Sequence, residues 1–318
     1  MLEVRDLKKY FVSNNGQRIW AVNGVSFRVK DNEVFGIVGE SGCGKSTLGR
    51  LILRLVEPSG GRVYFNSEEI TGIRRGDLGP KRKTMQMVFQ NPFASFNPKI
   101  RIGSALMEVC RYYGMSVSEG CAKIEQLLQD TSLSSDLLNR WPRELSGGQL
   151  QRLAIARAIL SEPSLLIADE PLSALDVSVQ AQLLNLLEDL RRSRSMMMIF
   201  ISHDMNVIEY FCDKVAVMYL GRIMEMTSSA ELSRSALHPY TRSLQASAPR
   251  LDIFKDAAGE ASAPIYGETP NPRILIKGCP FAPRCPEALP VCTETLPELR
   301  ETSPGHGVRC HGIDVLKI

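Results

Sequence analysis

The stretch from Gly39 to Thr47, GESGCGKST, decides the fold prediction because it fits the pattern G-x-x-x-x-G-K-[ST]. It follows an apolar run, EVFGIVG (Glu33–Gly39), and precedes a helical pattern from Lys45 to Leu55. A phosphate-binding loop requires this position between a strand and a helix. Its glycines let backbone N–H groups surround phosphate oxygens, and the helix directs its positive N-terminal end at the same anion.

The nine residues of this loop are the predicted nucleotide contacts. Lys45 would reach the β- and γ-phosphates, and Ser46 would bind Mg²⁺. We expect no chemical role for the thiol of Cys43, which occupies a variable position of the pattern. The full set is Gly39, Glu40, Ser41, Gly42, Cys43, Gly44, Lys45, Ser46 and Thr47.

An acidic pair supplies a second part of the predicted site. LLIAD (Leu165–Asp169) is typical of a buried strand and ends in Asp169, whose carboxylate would hold the Mg²⁺ shell. Glu170 follows at the carboxyl end of that strand, where ligands collect in open α/β sheets. An Asp-Glu pair alone is usually a solvated turn. Together with the loop, it indicates a carboxylate that polarises the water attacking the γ-phosphate.

A second helix start also suits phosphate. In LSGGQ (Leu145–Gln149), Ser146 can cap the following helix, and Gly147 and Gly148 expose its backbone amides. One nucleotide needs one such cradle, yet this chain offers two. We therefore expect two chains to pair head-to-tail, each closing the site of the other.

Composition limits the remaining function classes. The chain has 318 residues, of which 44% are hydrophobic and 23% charged, as in an ordinary globular protein. A net charge of +3 does not indicate nucleic-acid binding. No apolar run approaches the roughly 20 residues that cross a bilayer, and the charged start MLEVRDLKKYFV is unlike a signal peptide. We expect a cytoplasmic chain with reduced thiols.

The order of patterns predicts an α/β protein of the P-loop NTPase class with a mainly parallel sheet, because buried strands alternate with helices. Strand patterns at the start indicate an N-terminal antiparallel β subdomain, and helices at about 91–160 indicate an inserted helical subdomain. The predicted ATP-binding domain spans 1–248. A linker rich in proline, glycine and small polar residues follows at 249–278. A loop-rich cysteine module occupies 279–318.

Four cysteines in this module follow the spacing C-x5-C-x6-C-x17-C: Cys279, Cys285, Cys292 and Cys310. A reducing compartment disfavours disulfides. Structural zinc usually shows close C-x2-4-C pairs, which this tail lacks, although His306 and His311 keep zinc open. Four thiolates on a proline-stiffened loop can equally hold a [4Fe–4S] cluster. The residues alone leave both metals open.

Five motifs in this order resemble the ATP-binding subunits of ABC transporters, over roughly residues 1–235. They are GESGCGKST at 39–47, LSGGQ at 145–149, LLIADE at 165–170, SALD at 173–176 and ISHD with His203. The resemblance implies an ABC ATPase that uses ATP and Mg²⁺.

The resemblance also implies roles for single residues. Gln90, in MVFQNP, would contact Mg²⁺ and the attacking water and link the site to a membrane partner. His203 would contact the γ-phosphate, and Asp176 would lie at the dimer seam. Phe11 would stack on adenine, with Tyr10 as the alternative. The implied catalytic residues are Glu170, His203 and Gln90, and the implied Mg²⁺ ligands are Ser46, Gln90 and Asp169.

Later segments resemble the branch of oligopeptide, dipeptide and nickel permeases. They are NPFASFNPK (91–99), HPYTRSL (238–244) and the cysteine tail, while SALDVSVQAQ is closer to the second ATPase subunit of that branch. The resemblance implies a homologous ATPase partner, two transmembrane permease subunits and an extracytoplasmic binding protein, with no nucleic acid. It places the chain at the cytoplasmic face of the inner membrane, and it favours a [4Fe–4S] cluster on the four tail cysteines.

Several alternatives stay open at this point. The cargo could be nickel, since ATPase subunits do not contact cargo. The ATPase could instead serve a soluble complex such as phosphonate-degrading machinery, or be secondary in an iron–sulfur protein. Ribosomal relatives usually carry tandem ATPase units and DNA-repair relatives large insertions, and the sequence has neither.

Overall fold

The computed structural model describes residues 1–13, 15–173, 175–247 and 276–313. It divides into two compact units. The first, here the loop unit, comprises Met1–Val29, Val34–Thr71 and the described part of Ser202–Ile318. The second, here the helical unit, comprises Lys30–Glu33 and Gly72–Ile201.

The described residues form short strands and helices that alternate through most of the chain. The strands are β1 (Leu2–Val12), β2 (Arg18–Val29), β3 (Val34–Val38), β4 (Gly60–Phe65), β5 (Glu68–Glu69), β6 (Met85–Val88), β7 (Leu165–Asp169), β8 (Met197–Ser202), β9 (Lys214–Tyr219), β10 (Arg222–Ser228), β11 (Arg300–Ser303) and β12 (His306–Val308).

The helices are α1 (Lys45–Ile52), α2 (Gly79–Thr84), α3 (Ile102–Tyr112), α4 (Val117–Asp130), α5 (Gly147–Ile159), α6 (Val177–Arg194), α7 (Met205–Phe211), α8 (Ser229–Arg234), α9 (Pro239–Ser247) and α10 (Pro290–Glu294). None of these described helices is both long enough and apolar enough to cross a membrane.

Two groups of strands build the loop unit. Strands β2, β1, β4 and β5 lie side by side in that order, all antiparallel, which is the predicted N-terminal β subdomain. Strands β11, β12, β10, β9 and β3 are neighbours in that order, with β3 parallel to β9. Every residue of β3 is buried, as expected for a strand covered on both faces. Strands β9 and β10 form an antiparallel hairpin, with Gly221 at its turn at a φ of 79°.

Three parallel strands lie side by side in the helical unit, in the order β8, β7 and β6. All residues of β7 and β8 are buried. Helices α3, α4 and α5 occupy the region predicted as a helical insertion. Helix α4 begins with a capping box in which Ser116 and Glu119 satisfy each other's backbone N–H groups. The α/β class, with parallel strands and an antiparallel N-terminal sheet, is confirmed.

The C-terminal segment, residues 276–313, consists of short elements joined by loops. It contains a 3₁₀ turn at Ala282–Arg284, helix α10 and the β11–β12 hairpin, and β12 pairs antiparallel with β10. The predicted linker at 249–278 lies outside the described residues except for 276–278. The predicted boundaries of the ATP-binding domain, the insertion and the cysteine module stay predictions.

Candidate nucleotide site and cysteine cavity

The backbone of the Gly39–Thr47 loop fits tightly between two strands of the loop unit. Gly39 and Gly44 have φ angles of 154° and 107°. A Cβ on Gly44 would lie 2.0 Å from the Ala21 carbonyl oxygen, and one on Gly39 would lie 2.1 Å from the Met218 carbonyl oxygen. No residue with a side chain fits at those two positions. The path of the loop therefore follows from its glycines and from the backbone that surrounds it.

Lys45 lies at the centre of the loop, with only 4% of the residue exposed. Its ammonium group donates hydrogen bonds to the carbonyl oxygens of Gly39 at 2.7 Å and Glu40 at 3.0 Å. Helix α1 begins at Lys45, directly after Gly44, and Ser46 lies in its first turn. Lys45 and Ser46 thus both lie at the positive N-terminal end of α1, as the motif predicts.

Cys43 is a packing residue in this structure. It is 2% exposed, its carbonyl oxygen accepts a 2.8 Å hydrogen bond from the Gly221 N–H, and burial raises the pKa of its thiol. A thiol that stays protonated is a poor nucleophile.

Two residues from the C-terminal part of the chain hold the loop at Glu40. The Glu40 N–H donates to the Tyr240 hydroxyl at 2.9 Å, and a guanidinium nitrogen of Arg284 donates to the Glu40 carboxylate at 2.9 Å. The same nitrogen donates to the Tyr219 hydroxyl at 3.2 Å. The sequence patterns did not indicate Tyr240 or Arg284 as loop partners. Tyr240 belongs to the HPYTRSL segment, which served only as a mark of the branch.

In the helical unit, Gln90, Asp169 and Glu170 come together. Gln90 follows β6 and Asp169 ends β7, and these two strands are parallel neighbours. The Gln90 amide donates to the Glu170 carboxylate at 2.8 Å, and Asp169 is 1% exposed. Glu170 has a φ of 46°, a conformation that is uncommon for a residue with a side chain, and its N–H donates to the Ile201 carbonyl oxygen at 2.9 Å. The backbone thus presents this carboxylate just beyond the strand end.

The LSGGQ segment forms the predicted cap of α5. The Ser146 hydroxyl accepts from the Gln149 N–H at 3.3 Å, and the Gln149 side chain accepts from the Ser146 N–H at 3.0 Å. A Cβ on Gly148 would lie 2.9 Å from a Val179 methyl group, so the first turn of α5 packs closely against α6. Contact of Ser146, Gly147, Gly148 and Gln149 with a nucleotide stays a prediction.

Two segments of this chain match known protein families. Residues 22–173 match the family "ABC transporter", and residues 224–292 match "Oligopeptide/dipeptide transporter, C-terminal region". The oligopeptide transport ATP-binding protein AppF of Bacillus subtilis is 45% identical over 98% of this chain and 97% of its own length. A putative peptide import ATP-binding protein of Brucella ovis is 43% identical with the same coverage. The chain belongs to the ABC transporter ATP-binding proteins.

Solved structures agree with this membership. The dimeric bacterial ABC transporter cassette MJ0796 has a TM-score of 0.67 and 27% identity, covering 72% of this chain and 99% of the other. The same cassette in a post-hydrolysis state with ADP and Pi has a TM-score of 0.66. As a member of this family, the chain is an ATPase.

Asp176 acts locally as a helix cap in this ABC ATPase. Its carboxylate accepts hydrogen bonds from the Ser178 hydroxyl at 2.6 Å and the Val179 N–H at 2.9 Å, at the start of α6. The hydrogen bond from Ser178 lowers the pKa of the Asp176 carboxyl group most, and the bond from the Val179 N–H lowers it further. Its implied position at a dimer seam stays a prediction, and Ala174 of the SALD motif lies outside the described residues.

Phe11 and His203, the other two implied contacts, both belong to the loop unit. Phe11 is 45% exposed near the end of β1, with the Lys9 ammonium 5.1 Å from its ring centre. Tyr10, the alternative, packs edge-on against Trp20 with ring centres 5.2 Å apart. The greater exposure of Phe11 favours it as the stacking residue. His203 is exposed directly after β8.

The four tail cysteines line one cavity, together with His238, Phe281 and His311. Cys279 and Cys292 are each 7% exposed, and the Cys279 N–H donates to the Cys292 carbonyl oxygen at 2.7 Å. Burial raises the pKa of the Cys279 thiol to about 11. Within the described ranges, no three His, Cys, Asp or Glu side chains are arranged to hold a metal ion.

The two histidines that kept zinc open lie in different places. His306 is not part of the cavity lining. Its Nε2 lies 2.7 Å from the Glu225 carboxylate in a pair that is almost fully buried. His311 lines the cavity, and its Nε2 lies 2.9 Å from the Thr295 carbonyl oxygen. Of the two histidines, only His311 lines the cavity with the four cysteines.

Proposed function

We propose that this chain is the ATP-hydrolysing subunit of an importer for di- and oligopeptides. One observation carries the proposal: residues 224–292 match the C-terminal region of oligopeptide and dipeptide transporters, beyond the part shared by ABC ATPases in general. The names of the relatives in Bacillus subtilis and Brucella ovis, which refer to peptide transport and import, support the same cargo.

Glu170 acts as the catalytic carboxylate. It polarises the water that attacks the γ-phosphate, while Gln90, bound to it at 2.8 Å, orients both the carboxylate and the water. Lys45 and the N-terminal amides of α1 stabilise negative charge on the phosphates. His203 contacts the γ-phosphate, and Phe11 stacks on the adenine.

Ser46 and Asp169 hold Mg²⁺, with Gln90 as a further ligand. The donors fit, because a hydroxyl in the first turn of α1 and a nearly buried carboxylate at a strand end are the hard oxygen ligands this ion prefers. When bound, the ion neutralises charge on the phosphate oxygens.

ATP also binds across a dimer of ATPase subunits. Ser146, Gly147, Gly148 and Gln149 supply the capped helix start that closes the site of the partner, with Asp176 at the seam. The partner is a homologous second ATPase. Both lie on the cytoplasmic face of the inner membrane beneath two permease subunits, which receive peptide from an extracytoplasmic binding protein.

Cys279, Cys285, Cys292 and Cys310 hold a [4Fe–4S] cluster in the cysteine module. Two observations support sulfur ligands: four thiols line one cavity, and His306 binds Glu225 elsewhere. His311 also lines the cavity, so a mixed zinc site is the alternative. Anaerobic purification should give a coloured protein with about four iron and four sulfide per chain. A colourless protein that contains zinc would contradict the cluster.

The function is tested with the assembled transporter in proteoliposomes. Glu170→Gln should lower both ATP turnover and peptide uptake at least about hundredfold while ATP binding is retained. Glu162→Gln is the matched control. It removes a carboxylate of the same unit that pairs with Lys123 at 2.8 Å, and it should leave both rates unchanged.

Three outcomes would contradict the proposal. Full turnover in Glu170→Gln would remove the catalytic assignment. Purification with soluble partners alone, or uptake of Ni²⁺ without peptide, would remove the peptide importer.

A further inference from the structure

The C-terminal part of the chain reaches the nucleotide loop at one residue, Glu40. Tyr240 and Arg284 lie 200 and 244 residues further along the chain, yet one binds the Glu40 backbone and the other its carboxylate. Contacts of such sequence separation are made only when the tail folds onto the loop.

The Glu40 peptide connects these contacts to the lysine of the loop. Its N–H donates to Tyr240 at 2.9 Å, and its carbonyl oxygen accepts from the Lys45 ammonium at 3.0 Å. Tyr240 therefore fixes the orientation of a residue that in turn fixes Lys45. The Tyr240 side chain is itself immobile, because it is fully buried against Tyr219 and Phe281, with ring centres 4.6 Å and 5.3 Å away.

Charge is the second part of the argument. Glu40 lies in a loop that binds a polyanion, and an unpaired carboxylate there would repel phosphate. The Arg284 side chain is 8% exposed and that of Glu40 is 19%, so water screens this pair only weakly. Burial lowers the pKa of Arg284, but its bonds to Glu40 and Tyr219 outweigh that effect and raise it, so the guanidinium stays charged.

Arg284 belongs to the C-terminal segment 276–313, here called the cysteine segment. It ends the 3₁₀ turn at Ala282–Arg284, which lies between Cys279 and Cys285. The Arg284 N–H donates to the Phe281 carbonyl oxygen at 2.9 Å, and both cysteines line the cavity described above. A ligand or contact that orders the residues around the cavity would therefore also order the turn that carries the Arg284 guanidinium.

We infer that Arg284 and Tyr240 are positioning residues for ATP binding, through which the cysteine segment sets the affinity of the nucleotide loop. Arg284 neutralises Glu40, and Tyr240 orients the Glu40 backbone. The inference rests on the proposed assignment of Gly39–Thr47 as the nucleotide loop.

The test measures the dissociation constant for ATP by calorimetry on the full chain and the turnover of the assembled transporter. Arg284→Met should weaken ATP binding roughly tenfold, as expected for losing a hydrogen bond between charged groups. Arg284→Lys should recover part of the lost ATP affinity. In both variants, turnover at saturating ATP should stay within about twofold of the wild-type rate. Tyr240→Phe, which removes one hydroxyl, should weaken binding roughly threefold.

Two further variants separate the charge mechanism from general damage. Glu40→Gln combined with Arg284→Met should bind ATP more tightly than Arg284→Met alone, because the repelling carboxylate is gone. Glu301→Gln is the matched control, since it removes an exposed carboxylate of the same segment, which accepts from the Gly305 N–H at 2.6 Å and lies outside the lining of the cavity. Its ATP affinity should equal that of the wild type.

Wild-type affinity in both Arg284→Met and Tyr240→Phe would overturn the inference, as would lowered turnover at unchanged affinity or an equal loss in Glu301→Gln. If Arg284→Met does not fold, Arg284→Lys and Tyr240→Phe decide. Lys45→Ala distinguishes a failure of the proposed nucleotide loop from a failure of the positioning role alone. Retained ATP binding in that variant removes the proposed loop itself, whereas lost binding beside a wild-type affinity in Arg284→Met removes only the positioning role.

Discussion

The nucleotide loop and the cysteine segment are both short, irregular and rich in glycine or cysteine, yet they are held in different ways. The loop is fixed by the main chain: at Gly39 and Gly44 it passes too close to neighbouring carbonyl oxygens for any side chain. The cysteine segment pairs through its strand β12 with β10, and it is also held by a side-chain contact, the buried pair of Glu225 and His306. The glycines that this close packing requires can be read from a local motif, whereas a side-chain pair such as Glu225 and His306 joins residues that are distant in sequence.

Gly44→Ala tests the main-chain part of the comparison and should have the largest effect. Its φ of 107° and the 2.0 Å approach to Ala21 combine strain with a clash, so we expect a loss of more than about 4 kcal/mol in stability. Thermal unfolding without nucleotide measures it.

Gly42→Ala is the matched control for that change. Gly42 also has a positive φ, 77°, but no atom lies within 4 Å of the place that a methyl group would occupy, so only about 1 kcal/mol of strain is expected. Equal losses in both variants would show that conformation alone, rather than close backbone packing, fixes the loop.

His306→Ala tests the side-chain part. It leaves the fully buried Glu225 carboxylate without its imidazole, although the N–H groups of Leu237 and His238 still donate to it at 2.8 and 3.0 Å. We expect a loss of about 3 kcal/mol. Faster hydrogen exchange in β10 and β12 would report it, while His311→Ala, at an exposed contact, should change little.

Acid should weaken the C-terminal segment through the same carboxylate. Burial raises the pKa of Glu225, but hydrogen bonds with His306 and from two backbone N–H groups outweigh this effect, so the folded pKa lies below the ordinary 4.5. The stability that this group contributes is complete above pH 4.5 and is lost as the pH falls through the folded pKa.

Glu225→Gln checks this pH dependence. Its stability should fall less steeply below pH 4.5 than that of the wild type, measured by thermal unfolding across a pH series. Parallel curves would show that the carboxylate does not carry the acid sensitivity.

Ser146→Ala should have the smallest effect on stability, about 1 kcal/mol, because it removes one helix cap. Ser116→Ala removes the same kind of cap from α4 and should cost as much. Only Ser146→Ala should also lower ATP turnover in the dimer. Equal turnover in the two variants would argue against a nucleotide contact at LSGGQ.

The same contrast explains what the sequence could predict. The loop motif, the cap at Ser146 and the carboxylate at the end of β7 can each be read from residues a few positions apart, and each has the predicted local geometry. The partners of Glu40 could not be predicted, because Tyr240 and Arg284 are hundreds of residues away. Nor could spacing show that His306 binds Glu225 instead of facing the cysteines. Binding of a metal by the four tail cysteines stays a prediction.

The Glu225–His306 pair has a consequence for the order in which the chain folds. His306 is synthesised 81 residues after Glu225, so a growing chain holds β10 long before its partner emerges from the ribosome. Until then the carboxylate has no imidazole beside it, and the site favours water over burial. The β10 edge therefore closes late in translation, and a chain released before His306 carries a charged, open sheet edge that chaperones and proteases can recognise.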